Sequence, residues 1–154
     1  MEAVTVLDAG ADVALRQTLE YWRRLCGQRS MPARKDLNPA DIPRLLPKLM
    51  LADVGDRAMN TEPLQIRFRL VGTEVVRRFD CELTGRHLSE IDYGARADEV
   101  AALYHRVVDR AVPQFARIDF RQSPGRLIRM QQLLLPLSDD GDKVNKILAA
   151  VHCQ

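Results

Sequence analysis

The chain has 154 residues, 46% of them hydrophobic, and a formal charge of +2. That length holds one domain with one core, and the charge is too balanced for the broad electropositive surface that a phosphate backbone requires. Nineteen Arg and four Lys are interspersed with acids, three widely spaced Cys form no disulfide or metal-knuckle pattern, and the acidic N-terminus lacks a signal-like apolar stretch. With no apolar run of about 18 residues, the expectation is a soluble cytoplasmic protein that inserts into no membrane and binds no nucleic acid.

The first periodic element is a helix. Leu15, Leu19, Trp22 and Cys26 recur at i, i+4, i+7 and i+11, Arg16, Glu20, Arg23 and Arg24 occupy the other side, and Gly27 is placed to end the helix in a left-handed conformation. Residues 30–47, SMPARKDLNPADIPRLLP, contain four prolines and predict an extended linker with one short turn, in which Asn38 caps and Pro39 takes the first position. Residues 1–47 are thus read as an N-terminal helix and Pro-rich linker, and 48–154 as the core.

KLMLADV (48–54) predicts a strand ended by Gly55–Asp56. In LQIRFRLV, Leu64, Ile66, Phe68 and Leu70 alternate with polar residues, which predicts one buried face, with Arg67 and Arg69 in solvent. The text then poses a question. Why should the strand stop at Gly72–Thr73, give way to a short helix carrying Val75, Val76 and Phe79, and bend again at Thr84–Gly85? An enzyme would more often place a nucleophile, base or metal ligand there, but only turn and capping residues are present, Thr73 being the expected cap. From Arg96 to Ala111 a full helix follows, with Val100, Leu103, Tyr104, Val107, Val108 and Ala111 as its apolar stripe and Pro113 beyond it. FARIDFR (115–121), RLIRMQQLLLPL (126–137) and KVNKILAAVH (143–152) predict three strands joined by turns at SPG and SDDGD, an antiparallel meander.

This order resembles the PAS fold, an α+β architecture with a five-stranded antiparallel sheet, strand order 2-1-5-4-3, and helices between the second and third strands. The N-terminal half is similar to a bacterial single-domain PAS family, PAS_5, in carrying Tyr21, Trp22, Pro32, Arg34, Asp41, Ile42, Leu45, Leu46 and Pro47 in that family's pattern. The resemblance implies a sensory or regulatory domain in signal transduction, acting by small-ligand binding and protein–protein interaction. Because the chain ends after KILAAVHCQ, the expectation is that it has no effector domain of its own. A structural adaptor or dimerisation module with a filled core is the alternative.

The residues name no cofactor. The G-x-N-C-R-F-L-Q pattern of flavin photosensors of this fold is missing, although Cys81 lies near the matching position, where it reads as a buried or half-buried apolar residue. His105 lies on the long helix, where haem-binding relatives place a histidine, but about 130° from the stripe's centre by helical geometry, so it reads as a surface residue. Scattered His87, His105 and His152 form no metal constellation, and no G-x-S-x-G or phosphate loop points to catalysis, so no enzyme activity is expected. Tyr104, with a hydroxyl on the inward stripe, and Arg129 or Gln131 on the fourth strand are the candidate ligand-binding residues. Leu15, Leu19, Trp22 and Cys26 are the candidate homodimer interface, because the helix ahead of a PAS core often packs between subunits; a signalling protein is the further expected partner.

Overall fold

The computed structural model of the chain describes residues 7–55 and 64–154. The extreme N-terminus and the second residue of the Gly55–Asp56 turn lie outside the described residues. Helix α1 spans Val13–Cys26. The Asp12 carboxylate accepts from the Ala14 N–H at 3.0 Å, Arg23 and Arg24 fill the last turn, and Gly27 ends the helix at φ 58°. A first-turn acceptor and last-turn cations both complement the helix dipole.

The proline-rich segment is more ordered than its sequence predicts. It makes three 3₁₀ turns, at Arg34–Asp36, Pro39–Asp41 and Leu46–Lys48. Asn38 does cap the second, accepting from the Ala40 N–H at 3.1 Å. Asp36 closes the first by accepting from the Ala33 N–H at 2.8 Å, and Tyr21 of α1 holds the segment by accepting from the Asn38 N–H at 3.0 Å. Proline fixes φ near the 3₁₀ value and removes a donor that such a turn leaves unused, so these prolines punctuate turns instead of preventing them.

Strands β1 (Leu49–Val54) and β2 (Ile66–Val71), helices α2 (Thr73–Phe79) and α3 (Ala97–Arg110), and strands β3 (Gln114–Gln122), β4 (Arg126–Leu137) and β5 (Lys146–Cys153) complete the chain. The five strands form one antiparallel sheet in the order β2-β1-β5-β4-β3, the predicted order. The fifth strand starts three residues later than predicted. Asp140 accepts from the Asp142 and Lys143 backbone N–H groups, and the Asn145 amide clasps Asp139, so the turn chemistry of SDDGD extends to Asn145.

Helices pack on both faces of the sheet. Phe68 on β2 meets Tyr104 of α3 edge to face at 6.2 Å, and Phe120 on β3 meets Phe79 and Tyr93, so this inner face lies under α2, α3 and the turns between them. The outer face carries α1, whose Trp22 Nε1 donates to the Pro136 carbonyl at 2.9 Å. Leu15, Leu19, Trp22 and Cys26 are all buried in the same hydrophobic cluster as β4 and β5. The stripe expected at a homodimer interface therefore lies against the chain's own sheet, because a helix that folds back in cis presents the same periodicity as one that pairs in trans.

The Gly72–Thr73 question has a backbone answer. A Cβ on Gly72 would sit 2.3 Å from the Pro47 carbonyl oxygen and 2.4 Å from that of Leu46, while the Gly72 N–H donates to the Leu49 carbonyl at 2.7 Å. Strand β2 gives way to α2 where the Leu46–Lys48 turn crosses it at backbone contact, which only glycine permits. Thr73 does not cap α2; Gly72 is the residue ahead of the helix and no side chain closes it.

A second correction concerns the alternation in β2. Ile66 and Phe68 face inward, but a bulge between Leu51 and Ala52 shifts the register, so that Leu70 pairs with Leu51 and emerges on the outer face, 56% exposed. One extra residue inverts every side chain beyond it.

Candidate functional site

On the inner face, between the start of β2, the turn at residues 87–91 and the first half of α3, lies a pocket of about 310 Å³. Ile66, Ile91 and Tyr93 make its apolar wall, and Gln65, Ser89, Asp98 and His105 bring polar groups to it. The turn is placed by the sheet. Arg67 of β2 bridges His87 in antiparallel fashion, the Phe68 N–H donates to the Arg86 carbonyl at 3.0 Å, and the Glu90 carboxylate accepts from the His87 N–H at 2.8 Å.

Tyr104 lies where the sequence places it, on the inward stripe and in the wall of this pocket. Its ring is 1% exposed, and its hydroxyl is buried with no hydrogen-bond partner. The Nδ1 of His87, in the same pocket, is also buried and unpartnered. Native interiors rarely leave such atoms orphaned, since each costs about 1–3 kcal/mol. Both residues line the same pocket, so two unmet hydrogen-bonding groups are gathered at one place. Burial, reinforced by neighbouring Tyr93, holds the Tyr104 phenol well above its ordinary range. It stays a neutral hydroxyl, able to donate as well as accept.

Arg129 and Gln131 are not with it. Both lie on the opposite, α1-bearing face. The Gln131 Oε1 accepts from the Asp12 N–H at 2.7 Å, and exposed Arg129 lines a shallow hollow with Arg117, Asp119, His152 and Gln154. The polar residue that β4 does turn inward is Gln132, 1% exposed with both amide atoms unpartnered. Its parity follows from Ile128 and Met130, which pair with Phe120 and Ile118 on the inner face. Those two buried neighbours of Arg129 were the available signal, because QQLLLPL itself does not alternate.

His105 is half-buried and lines the pocket together with the 87–91 turn, although the helical angle points it away from the centre of the stripe. His87, which the sequence places only in a turn, is a member of the site. Cys81 is exposed outside the inner pocket, just beyond Asp80, which ends α2 in a left-handed conformation at φ 56°. Cys153 is buried, and desolvation pushes its thiol up to about 11, which leaves it protonated and unreactive. No group of three or more metal-ligating side chains occurs among the described residues, and no helix among them is long and apolar enough to cross a membrane.

Comparison with known proteins agrees with this architecture. The sequence profile of the PAS domain family matches residues 11–152, so the match includes α1 and the proline-rich segment as well as the sheet. No curated protein matches in sequence. Among solved structures, the chain is similar to a light-oxygen-voltage domain studied with a flavin analogue, at 9% identity over 75% of this chain and 82% of that one, TM-score 0.56. It is also similar to the light-oxygen-voltage domain of a blue-light activated histidine kinase from Erythrobacter litoralis EL346, at 16% identity over 72% and 98%, TM-score 0.53. A PAS domain from Colwellia psychrerythraea matches at 6% identity over 73% and 93%, TM-score 0.51. At these identities the likeness is one of fold. With the family profile spanning nearly the whole sequence and the strand order reproduced, the chain belongs to the PAS domain family.

Proposed function

We propose that this PAS domain is a sensory or regulatory module that binds a small molecule in the inner-face pocket and passes the change to a partner protein. The observation that carries the reading is the unpartnered Tyr104 hydroxyl, buried at a pocket that also holds the orphaned His87 Nδ1. A ligand that accepts from or donates to these atoms gains the hydrogen bonds that the free protein lacks. It would also bridge β2, the 87–91 turn and α3, three elements whose relative positions a ligand could bias.

The test is native mass spectrometry and an absorption scan of the purified protein, followed by melting curves across a panel of metabolites. A bound mass or a saturable rise in melting temperature is the expected result. The decisive control is Tyr104→Phe, which should reduce the ligand-induced rise. The alternative is an adaptor with a filled core. It is favoured by the dense packing of Leu103, Val107, Leu134 and Phe68 over the rest of the inner face. An empty mass spectrum with no stabilising metabolite would select it.

A further inference from the structure

We infer a second binding site, on the outer face of the sheet, for an aliphatic carboxylate with a long chain. Beside α1 the outer face is not fully covered, and a groove of about 500 Å³ lies between β1, β2 and the proline-rich segment. Its floor is a row of leucines set across three strands: Leu70 pairs with Leu51, and Leu51 with Leu148. Its other wall is formed by Leu37, Ile42 and Leu46. Two of the large hydrophobic side chains that the chain leaves exposed, Leu46 at 37% and Leu70 at 56%, stand on this groove, so apolar surface is kept in contact with water there. The extra residue in β2, Arg69, which stands unpaired opposite Leu51 and Ala52, turns Leu70 to this side, and Gly72 lets the Leu46–Lys48 turn close the end at backbone contact.

One charge belongs to the groove. Arg34 lines it and is half-buried, and its guanidinium has no hydrogen bond or ion pair among the described residues. The acid of its own turn does not neutralise it, because the Asp36 carboxylate is paired with Arg29 at 3.0 Å. A partly desolvated guanidinium over an apolar trough calls for an anion that carries its own apolar tail. The carboxylate would take the Arg34 fork in bidentate fashion, and the chain would lie along the leucine row. The volume falls in the range of small-molecule sites. This site is separate from the inner pocket and does not rest on the function proposed for it.

The test uses delipidated protein and sodium dodecanoate below its micelle-forming concentration, followed by calorimetry and by amide chemical shifts. Saturable binding is expected, with shifts centred on residues 34–51 and 70–73. Arg34→Gln should weaken dodecanoate roughly tenfold and leave dodecanol unchanged. The exposed-rim double variant L46E/L70E should abolish both, and Tyr104→Phe should alter neither. The inference is overturned if dodecanoate does not saturate, if Arg34→Gln has no effect on it, if binding occurs only to anionic phosphatidylglycerol vesicles, or if the shifts map to α3.

Discussion

Tyr104 combines two properties that rarely coincide, full burial and an unused hydroxyl. In the free protein, replacing it by Phe removes the penalty of an unsatisfied donor and keeps the ring that packs on Phe68. Tyr104→Phe should therefore raise the unfolding free energy of the free protein by about 1 kcal/mol while weakening the ligand response, a reversal measurable by denaturant titration with and without ligand. Loss of stability in the free protein would mean that the hydroxyl already has a partner. The same reasoning applies to Gln132, whose amide is orphaned at both ends on the inner face. Gln132→Leu should stabilise by about 1–2 kcal/mol in the same measurement. The first of these residues was legible from helical periodicity. The second was not, because β4 is covered on both faces and its run of apolar residues hides the parity of the two adjacent glutamines.

Helix α1 and the junction between β2 and α2 show how far element-level reasoning extends. Amphipathic spacing fixes that Leu15, Leu19, Trp22 and Cys26 share a face, but it cannot say whose surface they meet. The structure places Trp22 on the chain's own β4, 4% exposed and donating to the Pro136 carbonyl. Trp22→Ala should then cost about 3–5 kcal/mol of folding stability, seen as a large fall in melting temperature. A purely intersubunit role would instead give a monomer of unchanged stability by sedimentation. Gly72 makes the complementary point. Its sequence reading as a simple strand breaker is right in position and incomplete in cause, since the constraint comes from the carbonyls of Leu46 and Pro47, some 25 residues earlier. Gly72→Ala should destabilise by at least about 3 kcal/mol, because neither backbone can yield without opening the β1–β2 end of the sheet. Element type was thus readable from local pattern and turn chemistry, and the strand order came from the resemblance to the PAS fold. The bulge that turns Leu70 outward was not readable, because register is a property of two strands at once.

At the scale of the molecule, the sheet is held from two sides, and its outer face carries charges that tie distant strands together. Asp53 of β1 receives the Lys146 ammonium of β5 at 2.7 Å and pairs with the Arg69 guanidinium of β2. Burial of the carboxylate works against its ionisation, but hydrogen bonds from Lys146 and Arg69 outweigh it and hold the group below the usual 3.8. A carboxylate with a depressed folded-state pKa contributes stability that is fully present above its unfolded value and is lost as the pH falls through the folded one. The side chain is about one quarter exposed, so the contribution is on the order of 1 kcal/mol and decreases with salt. Asp53→Asn should therefore destabilise the protein at pH 7, and the difference from the unsubstituted chain should shrink as the pH drops below 3.8, where the native carboxylate is itself becoming neutral. Denaturant titrations of the two proteins at pH 7 and in the acid range would show the curves converging. A difference that persisted undiminished in acid would mean that Asp53 acts through packing, and that the ion pairs joining β1, β2 and β5 do not hold this end of the sheet together.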